Sequence, residues 1–360
     1  MQIIFDNIIF SLQKAGGISV VWYEILKRII SEKNLNYRFI EFENAEKNIF
    51  RKLLTISPIE LITKKSLFIK FSRYFNPRIK SADKFIFHSS YYRICKNANA
   101  INITTVHDFT YEKYFKGLSK WIHCQQKYRA IRHSDYIVCV SENTKKDLIH
   151  FLPEIDTDKI RIIHNGVSEE YSVISGQQDY QLHFPTGTYI LYVGSRDVYK
   201  RFDLAVEVAK QFNYKLVIIG GGKLSKKEKA EINRTLGSEN YFQIHRIENQ
   251  ELNRYYNNAF CLMYTSEYEG FGIPLIEAQK AGCPVIAYNG SSITEIAKGS
   301  SCLINQLTMD EISRHIIDLR DNEKRQEIIK NGLINAERFS WDKTYQQYSD
   351  LYLEIRQTIK

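Results

Sequence analysis

Two carboxylates, Glu269 and Glu277, bracket the run Glu269-Gly270-Phe271-Gly272-Ile273-Pro274-Leu275-Ile276-Glu277. A carboxylate accepts two hydrogen bonds side by side, which matches the vicinal hydroxyls of a ribose or a hexose, so one acid could hold each sugar of a two-sugar ligand. An apolar, strand-like segment ends near Tyr264. Two glycines then free the backbone, and Pro274 stands where a helix start tolerates a missing N–H. Such a strand-loop-helix junction points unpaired amides and the positive end of a helix dipole at one spot, where a phosphate or other anion can sit. Glu269 is expected in the loop and Glu277 in the first helical turn, both facing one cleft. A glutamate near a helix start also serves as a plain dipole-complementing surface residue, so the pair gains weight only from its surroundings.

A second group of residues supplies positive charge. Tyr189 to Val193 reads as a strand, Gly194-Ser195-Arg196 as a loop, and Lys200-Arg201 as the opening of a helix through Leu204, Ala205, Val208 and Ala209. Lysine brings a point charge and arginine a bidentate fork, so Arg196 and Lys200 together could offset a departing diphosphate without a metal. Tyr214 to Ile219 ends in Gly220-Gly221-Gly222, which allows close approach of a nucleotide but lacks the G-x-G-x-x-G spacing. Asp156-Thr157-Asp158 has the letters of a metal-chelating D-x-D, yet it precedes a strand in a polar connection, and no metal is expected.

The elements that must position these groups repeat a βα theme. Gln2 to Asp6 reads as a buried strand, followed by the Gly16-Gly17 turn and a helix through Val20, Val21, Tyr23, Ile25, Leu26 and Ile29. Arg38 to Glu41, Phe85 to His88, Ile101 to Val106, Asp135 to Val140 and Ile160 to Ile163 continue the series. His107 leaves the third of these and could donate to a sugar hydroxyl or stabilise developing charge, with Asp108 as its orienting partner or a loop cap. Ser141 has the chemistry of a helix cap. The chain turns polar from Ser168 to Thr188, where Gly176, Gln177, Gln178, Pro185 and Gly187 mark a boundary, and a second α/β series follows. Its later strands are Tyr241 to His245, Cys261 to Tyr264 and Pro284 to Tyr288, and the tail carries three helical patterns.

With 360 residues the chain is long enough for two domains, each with its own core. No stretch approaches a membrane span and no secretory leader is legible at Met1, so the default location is cytoplasmic. The six cysteines are scattered and read as buried free thiols. The net charge of +9 is uneven: residues up to Arg161 carry roughly +11 and the remainder roughly −2. From charge alone, nucleic acid, anionic lipid and a polyanionic acceptor remain open as partners. Between Arg51 and Lys84, Lys52, Lys64, Lys65, Lys70, Arg73, Arg78 and Lys80 interleave with Leu53, Leu61, Ile62, Leu67, Phe68, Phe71 and Phe75. Helical spacing there suits a helix on an anionic membrane surface or a groove for a lipid-linked acceptor. A solvated basic face over an ordinary core stripe gives the same letters.

The segment S-E-Y-E-G-F-G-I-P-L-I-E-A-Q-K-A-G-C-P-V-I-A resembles the donor-site signature of retaining glycosyltransferases, specifically glycosyltransferase family 4, and the likeness extends over most of the chain. It implies a GT-B architecture: two facing Rossmann-like, doubly wound α/β domains with an interdomain cleft. Residues 1–167 would form an acceptor domain, 168–340 a nucleotide-sugar donor domain, and 341–360 a helix crossing back, opened by Phe339-Ser340-Trp341. His164-Asn165-Gly166-Val167 resembles the family's hinge. By the same resemblance Glu277 would hold the nucleotide ribose, while Glu269 with Gly270, Phe271, Gly272 and Ile273 would hold the donor sugar. Arg196 and Lys200 would neutralise the diphosphate, Gly16, Gly17, Gly194 and Gly220 would line the donor, and His107 would reach its sugar.

The implied reaction moves a hexosyl unit, with retention, from a nucleotide-diphosphate sugar to a glycan or lipid-linked glycan. It implies no cofactor, no metal and no nucleic acid partner, a bacterial surface-polysaccharide setting, and a cytoplasmic enzyme peripheral to the membrane through residues 51–84. A nucleotide-sugar epimerase of the same fold and a catalytically silent glycan-binding subunit are the alternatives.

Overall fold

The computed structural model describes residues 1–32, 35–66, 68–175 and 182–358. Leu67 of the basic segment and Gly176, Gln177 and Gln178 of the polar boundary lie outside them. The chain divides into two compact units, Met1–Gly166 with Trp341–Lys360, and Val167–Ser340.

In the first unit the strands are β1 (Gln2–Asp6), β2 (Tyr37–Phe42), β3 (Leu61–Lys64), β4 (Phe85–Ser89), β5 (Ala100–Val106), β6 (Tyr136–Cys139) and β7 (Ile160–Ile162). The helices between them are α1 (Ile8–Leu12), α2 (Gly17–Ser31), α3 (Ile69–Ser72), α4 (Thr110–Tyr114), α5 (Gly117–Arg132) and α6 (Glu142–Phe151). The sheet order is β3-β2-β1-β4-β5-β6-β7 and every pairing is parallel. β4 is buried at every residue, as expected of a central strand covered on both faces. Ser141 caps α6 by accepting from the Thr144 amide at 3.0 Å.

The second unit has β8 (Tyr189–Val193), α7 (Phe202–Phe212), β9 (Lys215–Ile219), α8 (Lys226–Leu236), β10 (Tyr241–Ile244), α9 (Asn249–Asn258), β11 (Cys261–Tyr264), α10 (Ile273–Lys280), β12 (Val285–Tyr288), α11 (Ile293–Ala297), β13 (Cys302–Ile304), α12 (Met309–Asp318) and α13 (Asn322–Ala336). Its parallel sheet runs β10-β9-β8-β11-β12-β13. The last helix, α14 (Trp341–Thr358), packs on the first unit: Tyr352 bonds His88 Nδ1 at 2.8 Å, and the Thr344 hydroxyl donates to the His164 carbonyl at 2.8 Å.

Strand order reverses at β1/β4 in one unit and at β8/β11 in the other, and loops leaving strands at such a point are where doubly wound sheets bind ligands. All six cysteines are buried free thiols.

The segment 51–84 departs from the helix expected of it. It contains a single turn at Arg51–Leu53, another at Pro58–Glu60, the edge strand β3 and the four-residue α3. Leu61 to Lys64 is recruited by β2, opposite Phe39 to Phe42. Arg51 turns inward to a buried pair with Glu41 at 2.6 Å. What survives of the amphipathic reading is a row of exposed rings at Phe68, Phe71 and Phe75.

Asp6, at the end of β1, is fully buried and held by Arg93 and by the Ser89 hydroxyl at 2.7 Å. Removing one partner of a buried pair strands the other charge. Arg93→Leu is therefore expected to cost about 3–5 kcal/mol, read as a lower midpoint in urea unfolding of the first unit's transition.

Candidate functional site

The two loops at the β8/β11 reversal are sewn together. Gly194 leaves β8 at φ +137°, and the Tyr192 hydroxyl donates to the Ser195 carbonyl at 2.6 Å. Val198–Lys200 makes a single 3-10 turn, and Arg201 sits in the left-handed region at φ +50° before α7 begins at Phe202. That conformation costs a side-chain-bearing residue about 1–2 kcal/mol and favours a small or short polar residue. From the other loop, the Thr265 hydroxyl donates to the Arg201 carbonyl at 3.0 Å, and the Glu267 amide donates to the Tyr199 carbonyl at 2.7 Å. This brings Lys200 Nζ to 2.6 Å from Glu269 Oε1, both side chains mostly covered.

Glu269 is held by its backbone as well. Its amide donates to Ser291 Oγ at 2.9 Å, and the Ser292 hydroxyl reaches the carbonyls of Glu269 and Phe271, each at 2.9 Å. Phe271 is buried against Phe339, edge to face at 5.7 Å. Gly272 caps α10 at φ +107°, where a Cβ would meet Ile273's later neighbour Ile293 at 2.7 Å, so the turn into Ile273 requires glycine.

Arg196 is placed differently from Lys200. Its Nε donates to Glu228 Oε1 at 2.7 Å, and its Nη atoms donate to the carbonyls of Gly220, Gly222 and Lys223 at 3.2–3.4 Å. Glu228 also closes the capping box of α8 with Ser225. The guanidinium thus braces the triglycine turn, where a Cβ on Gly221 would lie 2.6 Å from Arg196 Nη1.

Glu277 falls in the second turn of α10, one turn later than expected. Tyr256, on α9, donates to its Oε2 at 3.0 Å, and Tyr171, near the start of this unit, lies close by with its hydroxyl donating to Asn249 Oδ1 at 3.1 Å. The two tyrosine rings meet edge to face at 5.9 Å. Burial pushes the Glu277 carboxyl up to about 7, against the pull of Tyr256 and Tyr171. Neither tyrosine carries a signal in the sequence beyond apolar spacing, and both are recognised only once the fold places them.

In the first unit Gly16 and Gly17 open α2, with the Gln13 carboxamide lying over Gly16 where a Cβ would clash at 2.3 Å. His107 follows β5 directly. Burial pushes its imidazole down to about 4, with Asp108 pulling against the shift and Lys127 adding to it, so the ring is neutral at pH 7. Asp108 accepts from the Thr110 amide at 3.0 Å, a loop cap. Lys127, fully buried, donates to the Asp108 carbonyl at 2.8 Å and pairs with Glu112 at 2.9 Å. Nothing in the sequence singled out Lys127. Among the described residues no group of three or more His, Cys, Asp or Glu side chains is arranged to hold a metal ion.

Two doubly wound parallel sheets with functional loops at their reversals define the GT-B fold, and solved structures share it across nearly the whole chain. Sucrose-phosphate synthase from Thermosynechococcus elongatus superposes with a TM-score of 0.76 at 17% identity, covering 99% of this chain and 100% of that one. Anabaena HepE in complex with UDP-glucose gives 0.73 at 14% identity, covering 98% and 100%. WaaG, a glycosyltransferase involved in lipopolysaccharide biosynthesis, gives 0.67 at 14% identity, covering 98% and 99%. Residues 15–171 match the model of Glycosyltransferase Family 4 and residues 177–334 that of Glycosyl transferases group 1. The chain belongs to glycosyltransferase family 4.

Among relatives, an uncharacterized glycosyltransferase of Methanocaldococcus jannaschii is 24% identical over 94% of this chain and 95% of its own length. O-antigen chain mannosyltransferase B of Escherichia coli is 33% identical over 29% of this chain and 28% of its own. O-antigen chain mannosyltransferase RfbU of Salmonella typhimurium is 26% identical over 56% of each. The alignment to the first of these mannosyltransferases thus spans under a third of either protein, and that to the second little more than half.

Because the Glu277 pKa in the folded protein lies above its ordinary value of 4.5, the folded state holds the proton more tightly than the unfolded one. Stability from this group is fullest below pH 4.5 and is lost as pH rises toward 7. Glu277→Gln removes the penalty. It should be more stable than the wild type at pH 8, by about 3 kcal/mol, and the two unfolding curves should converge as the pH is lowered toward 4.5. A pH-independent difference would contradict this.

Proposed function

We propose that the protein transfers a hexosyl unit from a nucleotide-diphosphate sugar to a hydroxyl of a glycan or lipid-linked glycan, with retention at the anomeric carbon and without a metal. The observation that carries this reading is the Lys200–Glu269 pair at 2.6 Å, set where the two reversal loops meet and beside the amino end of α10. In the proposed reaction the acceptor oxygen bonds the anomeric carbon and the bond to the diphosphate breaks. The electron pair leaves with the diphosphate, which also takes the acceptor's proton.

Lys200 would stabilise that leaving charge, Glu269 with the amides around Phe271 and Gly272 would receive the sugar, and Glu277 would take the ribose hydroxyls. Neutral His107 would donate to a sugar hydroxyl. Arg196 would act through the Gly220–Gly222 turn that it braces, shaping the backbone the nucleotide approaches. The relatives named as O-antigen mannosyltransferases make mannose the first sugar to test and surface-polysaccharide assembly the setting.

Lys200→Ala and Glu269→Ala should each lower turnover by roughly a hundredfold or more while leaving the fold intact. Wild-type rates in both would refute the site. Turnover abolished by EDTA and restored by manganese would remove the metal-free account.

A peripheral membrane contact is proposed at the exposed rings of Phe68, Phe71 and Phe75, with Lys70 among them and Lys64 just before them in the chain. Among the described residues no helix is long and apolar enough to cross a membrane. Co-sedimentation should favour anionic over neutral vesicles, and Phe71→Ser with Phe75→Ser should weaken it. Equal partition onto both vesicle types would dismiss the contact.

A further inference from the structure

On the first unit, a groove of about 210 Å³ runs between α5 and the loop that leaves β4 at the strand-order reversal. Trp121, Gln125 and Arg129 line one side, spaced one turn apart along α5, and Tyr74, Asn76 and Tyr92 line the other. Trp121 is 60% exposed, an unusual cost for an indole unless something covers it. Among the described residues the side chains of Gln125 and Arg129 make no hydrogen bond or ion pair, although both are in reach of the groove.

The walls are fixed by residues that do have partners. Gln126 donates to the carbonyls of Arg73 at 2.6 Å and Tyr92 at 3.2 Å, and the Arg73 guanidinium lies over the Tyr74 ring at 4.9 Å. Asn76 accepts from the Ile94 amide at 3.2 Å.

We propose that this groove is a carbohydrate subsite that holds one saccharide unit of the acceptor. A pyranose has an apolar C–H face that packs on an aromatic ring and an edge of hydroxyls that amides and guanidinium groups can hydrogen-bond. The groove offers both, with an aromatic ring and polar groups on each side of a space suited to a single sugar. A purely lipidic occupant would leave Gln125, Asn76 and Arg129 unused, and the exposed phenylalanines that would suit it lie just outside, at positions 68–75.

The groove is also wired to the turn that carries His107. The Lys127 ammonium sits 5.6 Å from the centre of the Tyr92 ring, which lines the groove, and donates to the carbonyl of Asp108, the residue after His107. One helix therefore presents the buried cation inward and the free groups of the groove outward. The proposal rests on the transferase reading in that it makes the occupant an acceptor, but the groove's affinity for sugar stands or falls separately.

Tryptophan fluorescence tests it, because Trp22 and Trp341 are buried and Trp121 alone of the three is open to a soluble quencher. The full chain is titrated with α- and β-linked hexose di- to tetrasaccharides in the presence of iodide, and with UDP and GDP in parallel. At least one saccharide series should shield Trp121, the shielding should vanish in Trp121→Phe, and Gln125→Ala and Arg129→Ala should weaken it roughly three- to tenfold each. If a nucleotide binds but no saccharide shields Trp121, or if only anionic vesicles shield it, the subsite is overturned and the donor reading survives. Shielding by saccharide without nucleotide binding would keep the subsite and sink the transferase reading.

Discussion

The contact on which the second unit's site depends is the ion pair between Lys200 and Glu269. Each would be costly to cover alone, and each lowers the cost for the other. The pair is possible because two loops from adjacent strands at a topological reversal are held at one spacing by backbone hydrogen bonds through Tyr199, Arg201, Thr265 and Glu267. In the proposed reaction a diphosphate beside Lys200 would compete for the same ammonium, and Glu269, released from it, would accept sugar hydroxyls.

Charge in the first unit is used in another way. Its excess of basic residues suggested a surface for acidic partners, yet Arg51, Arg93 and Lys127 are buried against Glu41, Asp6 and Glu112. These cations fix strand ends and turns. The Lys127 pair does so at the turn bearing His107, where its positive charge also helps keep the imidazole neutral. Because each pair is neutral, burying it leaves the segment's net charge as it was; what it reduces is the number of cations a partner can reach.

The parts of the molecule legible in the sequence are those governed by local rules. β1, β8 and β11 carry continuous apolar runs bounded by glycine or polar turns, and the structure places them at Gln2–Asp6, Tyr189–Val193 and Cys261–Tyr264, as read. The loop chemistry of Gly272 and the cap at Ser141 follow from backbone needs that one or two residues reveal. The segment 51–84 misleads because a periodic mixture of lysine and phenylalanine describes composition, whereas β3 forms by pairing with β2, a non-local contact. Tyr171 and Tyr256 are illegible for the same reason, being separated in the chain by β8, β9 and β10. Arg196 is the subtler case. Its position in the loop is legible, but its partners, Glu228 and three carbonyls, come from the next crossover and cannot be read from the loop itself.

The two acids of the E-x7-E pattern are chemically distinct once folded. Glu269 is ion-paired and fixed at its backbone by Ser291 and Ser292, so its availability depends on what draws Lys200 away. Glu277 faces two phenols and no cation, and its charged form is disfavoured by burial. Tyrosine hydroxyls can donate to a carboxylate without neutralising it, which leaves its other lone pairs for a ligand's hydroxyls. A cation at the same place would have satisfied the acid completely and competed with any sugar. The same residue type eight positions apart is thereby set in two environments, one paired with a charge and one held by hydrogen bonding alone, and the difference arises from elements distant in sequence.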